Sequence, residues 1–377
     1  MRLEPVSSDE PRVVLRALRG AVLGAGPAVA LGAPAGLPRD VPPGTAVVLT
    51  TSGSTGVPKS VALSRAALTS SALATARRIG EGQWLLPLAG GYIAGVQVMV
   101  RALVAGRDPA ILAGRFTADA FVHAASGMRS FEGGARVPTF TSLVPAQLLT
   151  LVDAAERDPR AAAALAGFEA ILVGGQRLPD ALRDRALALG ARVVRTYGST
   201  ETSGGCVYDG VPLDGVRAAD VGGELRIAGP TLADGYLGDP ERTAAAFVTD
   251  PSGVRWYRTG DAGVFSGGVV TVTGRIDNVI VSGGVNVSLD RVEHAVREVP
   301  GLSAAVVVGA LHPRWGATPV VVVEGAAPDG ALAAARDAAE RAIGKPARPD
   351  RVVTVAAMPR LASGKPDRRA LTDMLAA

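Results

Sequence analysis

The sequence predicts an α/β protein that carries a second, α+β domain at its carboxyl end. Strand and helix patterns alternate through the first half of the chain, which is typical of a mostly parallel sheet covered by helices. From about Gly222 the pattern changes to short strands separated by Gly and Pro, and after Gly274 helices return between strands. We therefore expect a large domain over residues 1–276, with a small β-rich subdomain at about 216–276, and a smaller domain over 277–377.

Strands are predicted from β-branched or apolar runs, and helices from apolar residues at helical spacing. The first alternation is a strand at 45–51, a loop rich in Ser, Thr and Gly, and a helical pattern over 64–79. Further strand and helix pairs lie at 84–88 and 93–104, 140–143 and 146–155, 170–173 and 179–189, with a strand at 193–196 before a glycine turn. The β-rich strands lie at 224–227, 254–257 and 269–273. The last domain should contain helices at 289–299 and 331–343 and strands at 304–308, 319–323 and 351–356.

The composition excludes several classes of protein. The net charge of +4 is spread without basic blocks, so no nucleic-acid partner is expected. The uncharged stretch at residues 21–38 is interrupted by proline and glycine, so no membrane span is expected. A charged N-terminus and the single Cys206 favour a cytoplasmic location. The oligomeric state stays open between monomer and homodimer.

Lysine is rare in this chain. Of the 39 basic residues, only Lys59, Lys345 and Lys365 are lysine. A chain that uses arginine for ordinary surface charge should keep lysine where a compact ammonium is needed. Lys59 and Lys365 are therefore candidate site residues, whereas Lys345 has no argued role and is expected to be structural.

Residues 51–59 form a candidate phosphate-binding loop. Six of the nine are Thr, Ser or Gly, and such a loop between a strand and a helix presents amides and hydroxyls to an anion. A P-loop is excluded because Pro58 stands where that motif needs its second glycine. The candidate nucleotide-binding residues are Thr51, Ser52, Gly53, Ser54, Thr55, Gly56 and Lys59.

This loop resembles the phosphate loop of the adenylate-forming superfamily, which contains acyl-CoA synthetases, adenylation domains and luciferases. Five further signatures of that superfamily follow in the family's order, at 197–202, 257–262, 274–277, 282–286 and 363–368. The resemblance runs from about Ala46 to Leu371 and implies a large N-terminal domain and a small, mobile C-terminal domain. It departs at the front, where the family usually has more sequence, which implies a truncated N-terminal domain.

The resemblance implies that ATP activates a carboxylate as an acyl-adenylate, which CoA then accepts. Thr200 would contact the α-phosphate and Glu201 would hold Mg²⁺. Tyr197 would lie against the adenine, and Gly198 and Ser199 belong to the same ATP-binding motif.

The later signatures imply roles for residues near the carboxyl end. Asp261 and Arg275 would bind the ribose hydroxyls, and Asp277 would be the hinge. Lys365 matches the mobile lysine that bridges the attacking carboxylate and the α-phosphate. After rotation of the small domain, Gly283 and Gly284 would allow the pantetheine arm of CoA to approach.

Three segments resemble o-succinylbenzoate:CoA ligases of menaquinone biosynthesis, particularly the short actinobacterial type. They lie at 141–147, 174–175 and 204–215. That substrate carries a second carboxylate, so the pocket should offer fixed donors, for which the candidates are Ser142, Gln147, Gly174 and Gly175. Tyr92 stands in a loop where the family often has His.

Two alternatives remain open. One is another aryl- or acyl-CoA ligase, or an adenylation domain that loads a carrier protein. The other is a non-catalytic nucleotide-binding protein, against which the intact Glu201 and Lys365 weigh. No catalytic role is assigned to His123, His294 or His312, and Cys206 is expected to line a pocket without acting as a nucleophile.

Overall fold

The computed structural model describes residues 1–32, 36–51, 58–128, 131–361 and 364–376. The helices are α1 Pro11–Leu23, α2 Arg65–Ile79, α3 Ile93–Val104, α4 Ala118–Ser126, α5 Pro145–Ala155, α6 Pro159–Gly167, α7 Asp180–Ala188, α8 Pro240–Ala246, α9 Leu289–Arg297, α10 Ala331–Ala342 and α11 Arg368–Ala376. Two 3₁₀ turns cover Thr200–Thr202 and Lys345–Ala347.

The strands of the first half are β1 Leu3–Val6, β2 Ala28–Leu31, β3 Thr45–Thr51, β4 Lys59–Ser64, β5 Gln83–Leu86, β6 Ala110–Ile111, β7 Phe131–Glu132, β8 Ala135–Arg136, β9 Thr139–Leu143, β10 Ala170–Val173, β11 Val193–Ser199, β12 Gly204–Tyr208 and β13 Val211–Pro212. The strands of the second half are β14 Arg217–Val221, β15 Glu224–Ala228, β16 Gly235–Tyr236, β17 Phe247–Thr249, β18 Arg255–Ser266, β19 Val269–Arg275, β20 Val279–Ser282, β21 Val285–Ser288, β22 Val306–His312, β23 Gly316–Glu324 and β24 Val352–Val355.

The chain divides into two compact units. Unit 1 contains residues 1–219, 226–259 and 266–270, and unit 2 contains 220–225, 260–265 and 271–377. Strands β14, β15, β18 and β17, with β19 beside β18, form one sheet, and the limits of both units fall within its strands. These limits differ from the predicted division into 1–276 and 277–377, so a hinge at Asp277 stays a prediction.

Unit 1 contains two sheets. The N-terminal sheet has the order β1-β2-β3-β4-β16, in which β1, β2 and β3 are parallel and β4 and β16 are antiparallel to their neighbours. The central sheet has the order β13-β12-β11-β10-β9-β5-β6 and is parallel from β11 to β6. The parallel arrangement follows from the alternation of strands with helices, because each crossover returns the chain to the same edge.

Both faces of the central sheet are covered. One face packs against α4, α5, α6 and α7 through a core that includes Leu85, Leu143, Ile171 and Phe168. On the other face, α3 packs against β5, β9 and β12, and α2 contacts α3, β12, β3 and β4. Helix α3 has almost no polar side chains and is buried from Gly95 to Leu103, which suits a helix covered on all sides.

Unit 2 contains a sheet of order β21-β20-β23-β22, with β24 parallel to β23. Helices α9 and α10 cover one face through Val292, Val296 and Ala335. The opposite face is covered by α11, whose Leu371 packs on Val306 and Val308. The predicted fold class is confirmed by this α+β unit and by the covered parallel sheet of unit 1.

The structure adds a strand between the phosphate loop and the helix that follows it. The predicted helix over 64–79 is present as α2, but Lys59–Ser64 form β4, which pairs antiparallel with β3 so that Thr51 lies opposite Lys59. The apolar run Val61–Leu63 is buried in the N-terminal sheet. Helix α2 begins directly after Ser64, whose hydroxyl caps the helix by accepting a hydrogen bond from the Ala67 amide. The loop therefore joins two strands of a hairpin.

None of the described helices has the length and apolar composition that crossing a bilayer requires.

Candidate active site

A rigid turn carries Thr200 and Glu201 at the end of β11. The Ser199 amide donates to the Thr202 hydroxyl at 2.8 Å, and that hydroxyl donates to the Gly204 carbonyl at 2.7 Å. A Cβ atom at Gly198 would lie 2.1 Å from the Gly204 oxygen, so the close approach requires glycine there. The turn is buried, and its hydrogen bonds fix the direction of the Glu201 side chain.

Glu201 is a buried carboxylate that forms an ion pair with the half-buried Lys59. Its side chain is only 3% exposed, its Oε1 accepts from Lys59 Nζ, and it also accepts from the Tyr236 hydroxyl at 3.0 Å. Burial raises the pKa of Glu201, but the Lys59 charge and the hydrogen bonds outweigh burial and hold the pKa below its ordinary value. Glu201 is therefore an ionised carboxylate inside the protein.

Tyr236 is a site residue that the sequence analysis missed. It lies on β16 beside β4, where it pairs with Val61, and its hydroxyl accepts from Lys59 Nζ at 3.3 Å. Burial, followed by the Glu201 charge, raises the pKa of Tyr236 well above its ordinary value, so the hydroxyl keeps its proton and can donate. The only signal in the sequence would have been a Tyr on the strand paired with the lysine strand.

The predicted phosphate loop is described only at its two ends. Ser52, Gly53, Ser54, Thr55 and Gly56 lie outside the described residues. Thr51 ends β3, and its buried hydroxyl has no hydrogen-bond partner among the residues that the structure describes. Because Thr51 pairs with Lys59, the loop begins and ends next to the Lys59–Glu201 ion pair.

The remaining residues of the 197–202 motif lie on β11 or just after it. Tyr197 pairs with Val207 of β12 and is half-buried. The Ser199 hydroxyl is buried, without a hydrogen-bond partner in the described part of the chain. The structure thus brings this motif next to Lys59, and their roles toward a nucleotide stay predictions.

In unit 2, Arg275 links Asp261 to Asp277. Its Nη1 donates to Asp261 Oδ1 at 3.0 Å, and its Nε and Nη2 donate to the two Asp277 oxygens at 3.0 and 3.1 Å. Burial lowers the pKa of Arg275, but the two carboxylates outweigh burial and raise it. The predicted ribose-binding carboxylate and the predicted hinge residue therefore share one guanidinium.

Lys365 lies on a closed turn whose Ser363 is outside the described residues. The Leu361 amide donates to the Lys365 carbonyl, and the Asp367 amide donates to the Pro359 carbonyl, both at 2.8 Å. Three residues after Lys365, Arg368 donates to the Val307 carbonyl at 2.6 Å and to the buried Glu293 carboxylate at 2.7 Å. The turn is thus anchored to the core of unit 2.

Gly283 and Gly284 form the turn between β20 and β21, with φ of +58° and +81°. The Gly283 amide donates to the Trp315 carbonyl at 2.9 Å. A Cβ atom at Gly283 would lie 3.2 Å from the Trp315 ring, whereas one at Gly284 would meet nothing within 4 Å. Space for an approaching ligand is therefore open at Gly284.

Two of the predicted substrate donors already make hydrogen bonds to the backbone. The Gln147 side chain accepts from the Val144 amide at 3.1 Å and donates to the Pro87 carbonyl at 2.9 Å, so it caps α5. The Gly174 amide donates to the Leu143 carbonyl at 3.2 Å, and a Cβ atom there would lie 2.3 Å from the Thr196 hydroxyl. The Gln147 amide nitrogen has a second N–H group, and the roles of Gln147 and Gly174 toward the substrate stay predictions.

The roles of the other predicted substrate-pocket residues also stay predictions. Ser142 is buried, and its hydroxyl has no hydrogen-bond partner in the described residues. Gly175 has a φ of +81° in the turn after β10. Tyr92 precedes α3, where burial and then the charge of Asp9 raise its pKa.

Arg101 is a buried cation that the sequence analysis did not identify. It lies on α3, is 7% exposed, stacks over the Trp84 ring at 5.1 Å and donates to the Tyr208 hydroxyl at 3.3 Å. Its Nε has no partner, and no carboxylate of the described residues pairs with it. A buried arginine without a carboxylate partner is unusual, and this burial is not visible in the sequence.

The chain matches a known family over most of its length. Residues 27–237 match the AMP-binding enzyme family and residues 291–365 match the AMP-binding enzyme C-terminal domain. The chain therefore belongs to the AMP-binding enzyme family, as the adenylate-forming signatures predicted.

Individual relatives and solved structures show which members of this family the chain is similar to. The chain is 41% identical over 334 residues to a probable 2-succinylbenzoate–CoA ligase of Mycobacterium tuberculosis, covering 86% of this chain and 83% of the relative. It is 29% identical over 348 residues to 2-succinylbenzoate–CoA ligase of Enterococcus faecalis, covering 85% and 67%. Among solved structures, o-succinylbenzoate CoA synthetase from Bacillus subtilis with its acyl-adenylate intermediate has a TM-score of 0.73 at 26% identity, covering 89% of this chain and 70% of that one.

Proposed function

We propose that this protein is an AMP-forming ligase that joins the succinyl carboxylate of o-succinylbenzoate to CoA. The observation that carries the proposal is the ion pair between Lys59 and the buried Glu201 beside Thr200, in a chain that is 41% identical to a probable 2-succinylbenzoate–CoA ligase. We place the reaction in the cytoplasm, where ATP and CoA are the co-substrates.

The reaction requires two steps because oxide is a poor leaving group from a carboxylate. A carboxylate oxygen of the substrate attacks the α-phosphorus of ATP, the bond from that phosphorus to the bridging oxygen breaks, and pyrophosphate leaves. The thiolate of CoA then attacks the acyl carbon, and AMP leaves as the carbon–oxygen bond breaks. Charge develops on phosphate oxygens in the first step, so the protein contributes mainly positioning and electrostatics.

The residues around Glu201 fit the first step. Thr200, at the start of the turn, would contact the α-phosphate, and Lys59 would supply positive charge to the phosphates. Tyr197, Gly198 and Ser199 would support the nucleotide from β11. Asp261 and Arg275 would take the ribose hydroxyls.

Mg²⁺ suits the donors near Glu201. The described residues contain no group of three or more His, Cys, Asp or Glu side chains that could hold a metal by themselves. Mg²⁺ is usually held by one or two carboxylates together with substrate phosphates and water, and Glu201 is an ionised carboxylate of this kind. Bound there, the ion would neutralise charge on the phosphates. A solved relative, o-succinylbenzoate CoA synthetase of Bacillus subtilis, binds ATP and magnesium.

Residues of unit 2 would take part in both steps. Lys365 would bridge the attacking carboxylate and the α-phosphate during adenylation and leave when the small domain rotates about Asp277. The turn at Gly283 and Gly284 would then admit the thiol arm of CoA. The open space at Gly284 supports that role.

A second carboxylate on the substrate needs its own partner, and Arg101 supplies the charge. Arg101 lies over Trp84, and Trp84 packs against Phe140 at 5.2 Å between ring centroids. Ser142 is two residues beyond Phe140 on β9 and so shares its face of the sheet. The buried cation and the unpaired Ser142 hydroxyl would together hold the ring carboxylate.

The test compares kcat/KM for o-succinylbenzoate and for 4-phenyl-4-oxobutanoate, which lacks only the ring carboxylate. We expect a preference of at least about 10²-fold for o-succinylbenzoate. A substrate without the ring carboxylate would leave the buried Arg101 and Ser142 unpaired. Equal values, or a preference for benzoate or a fatty acid, would assign the chain to another aryl- or acyl-CoA ligase. Acyl transfer to a carrier-protein thiol but not to free CoA would favour a loading adenylation domain.

A further inference from the structure

Gln97 is a buried amide whose hydrogen bonds are unmet. It lies in the middle of α3, is 1% exposed, and neither Nε2 nor Oε1 has a hydrogen-bond partner among the described residues. Its neighbours on the helix, from Gly95 to Leu103, are all buried, and apart from Arg101 they are apolar. Burying an unsatisfied amide is unfavourable, so the position calls for a polar group that the described residues do not supply.

The Gln97 side chain lies against the turn that follows Glu201. A Cβ atom at Gly204 would be 3.0 Å from Gln97 Cγ and 3.7 Å from the Ile93 side chain. Glycine at 204, with a φ of +90°, therefore leaves the space that Gln97 occupies. The adjacent Ser203 hydroxyl is also buried and without a partner in the described part of the chain.

Gln97 and Arg101 are four residues apart on α3, so their side chains lie along one side of the helix. Arg101 donates to the hydroxyl of Tyr208, and Tyr208 belongs to β12, the strand that starts at Gly204. Both side chains therefore face the same strand, and both contain buried nitrogen atoms without a partner in the described residues. A carboxylate placed between them would accept hydrogen bonds from both.

We propose that Gln97 is a specificity-determining residue that donates its amide N–H to the ring carboxylate of the substrate. The inference rests on the proposed function, which supplies a substrate with two carboxylates. Arg101 provides the charge, whereas Gln97 provides a directed donor beside Gly204. A monocarboxylate would leave the Gln97 amide unpaired.

The test uses Gln97→Leu, which keeps the approximate size of the side chain and removes the donor. We expect kcat/KM for o-succinylbenzoate to fall by about 10- to 100-fold, as for a hydrogen bond to a charged group. For 4-phenyl-4-oxobutanoate we expect kcat/KM to stay within about twofold, since that substrate has no ring carboxylate. Gln97→Glu should lower the first value further, because a second negative charge would face the ring carboxylate.

The matched control is Gln83→Leu, which removes another buried glutamine oxygen without a described partner, on β5. It should leave the ratio of the two kcat/KM values unchanged. A wild-type enzyme without preference for o-succinylbenzoate would overturn the proposed function and this inference together. A wild-type preference that Gln97→Leu leaves intact would overturn the inference alone.

Stability is measured by thermal unfolding for every variant. Gln97→Leu replaces an unsatisfied amide with an apolar group, so its melting temperature should equal or exceed that of the wild type. Isothermal titration with o-succinylbenzoate gives a second readout that does not depend on turnover, and the dissociation constant should rise for Gln97→Leu and Gln97→Glu but not for Gln83→Leu. Unchanged binding in a folded Gln97→Leu protein would contradict the proposed donor.

Discussion

Replacing Tyr236 with Phe removes one hydroxyl from the Lys59–Glu201 pair and keeps the ring. The ring packs against Phe247 with centroids 5.9 Å apart, and it lies under Lys59 Nζ at 5.0 Å. These contacts do not need the hydroxyl. The substitution should therefore leave the fold in place and act through the groups that the hydroxyl contacts, which are Glu201, Lys59 and Tyr257.

The expected size of the effect follows from the hydrogen bonds of that hydroxyl to the two charged groups. It donates to Glu201 Oε1 at 3.0 Å and accepts from Lys59 Nζ at 3.3 Å. A hydrogen bond to a charged group contributes about 1.5–3 kcal/mol, which corresponds to about 10- to 100-fold in rate if it is needed in the transition state. Without it, the pKa of Glu201 should rise, because the Tyr236 hydroxyl is one of the groups that lower it.

The assay is ATP–pyrophosphate exchange with o-succinylbenzoate at several Mg²⁺ concentrations. Tyr236→Phe should slow exchange by about 10- to 100-fold and require more Mg²⁺ for half-maximal rate, as expected for a residue that orients a metal-binding carboxylate. In a Glu201→Gln background the same substitution should have little further effect, because the hydroxyl would act through Glu201. Wild-type exchange by Tyr236→Phe, or fully multiplicative losses in the double variant, would refute this role.

Two further predictions concern Gly284 and Cys206. Gly284→Leu should keep pyrophosphate exchange and slow thioester formation by about 10²-fold. The control Gly325→Leu should slow neither reaction, because Gly325 lies at a turn with a similar φ of +78° and equal open space. Loss of exchange in Gly284→Leu would contradict the two-conformation mechanism. Burial raises the pKa of the Cys206 thiol to about 12, so iodoacetamide should alkylate it at pH 8 only after denaturation, and rapid alkylation of the native protein would contradict its burial.

The sequence alone was sufficient to predict the helices and strands that are specified by their own residues. Helix α3 covers Ile93–Val104 and β10 covers Ala170–Val173, as predicted, because an apolar run of the right length specifies each of them. Strand β4 was not predicted, because it is specified by its pairing with β3 and by its packing in the core. Helix α1 was also missed, although Pro11 and the Glu10 side chain, which accepts from the Val13 amide at 3.0 Å, mark its start.

The site shows the same limit. Lys59 and Glu201 were found separately, one by the rarity of lysine and the other by a motif, but their ion pair spans 142 residues of sequence. Tyr236 and Gln97 belong to no motif, and their importance follows from burial and from the atoms they face. The hydrogen bonds of Gln147 to the Val144 amide and the Pro87 carbonyl likewise join residues that are distant or unremarkable in the sequence, so only the folded chain reveals them.

The role of Lys365 can be separated into half-reactions. Lys365→Ala should slow acyl-adenylate formation by about 10²–10³-fold, the loss typical of one charge-stabilising donor, and should leave thioester formation from pre-made acyl-adenylate nearly unchanged. The substitution should not unfold unit 2, because Arg368 and Glu293 anchor the turn through side chains that do not involve Lys365. Pyrophosphate exchange measures the first half-reaction, and CoA thioester formation from synthetic acyl-adenylate measures the second. Equal losses in both would show that this lysine stays at the reacting phosphate throughout, and the rotation about Asp277 would then have no part in the mechanism.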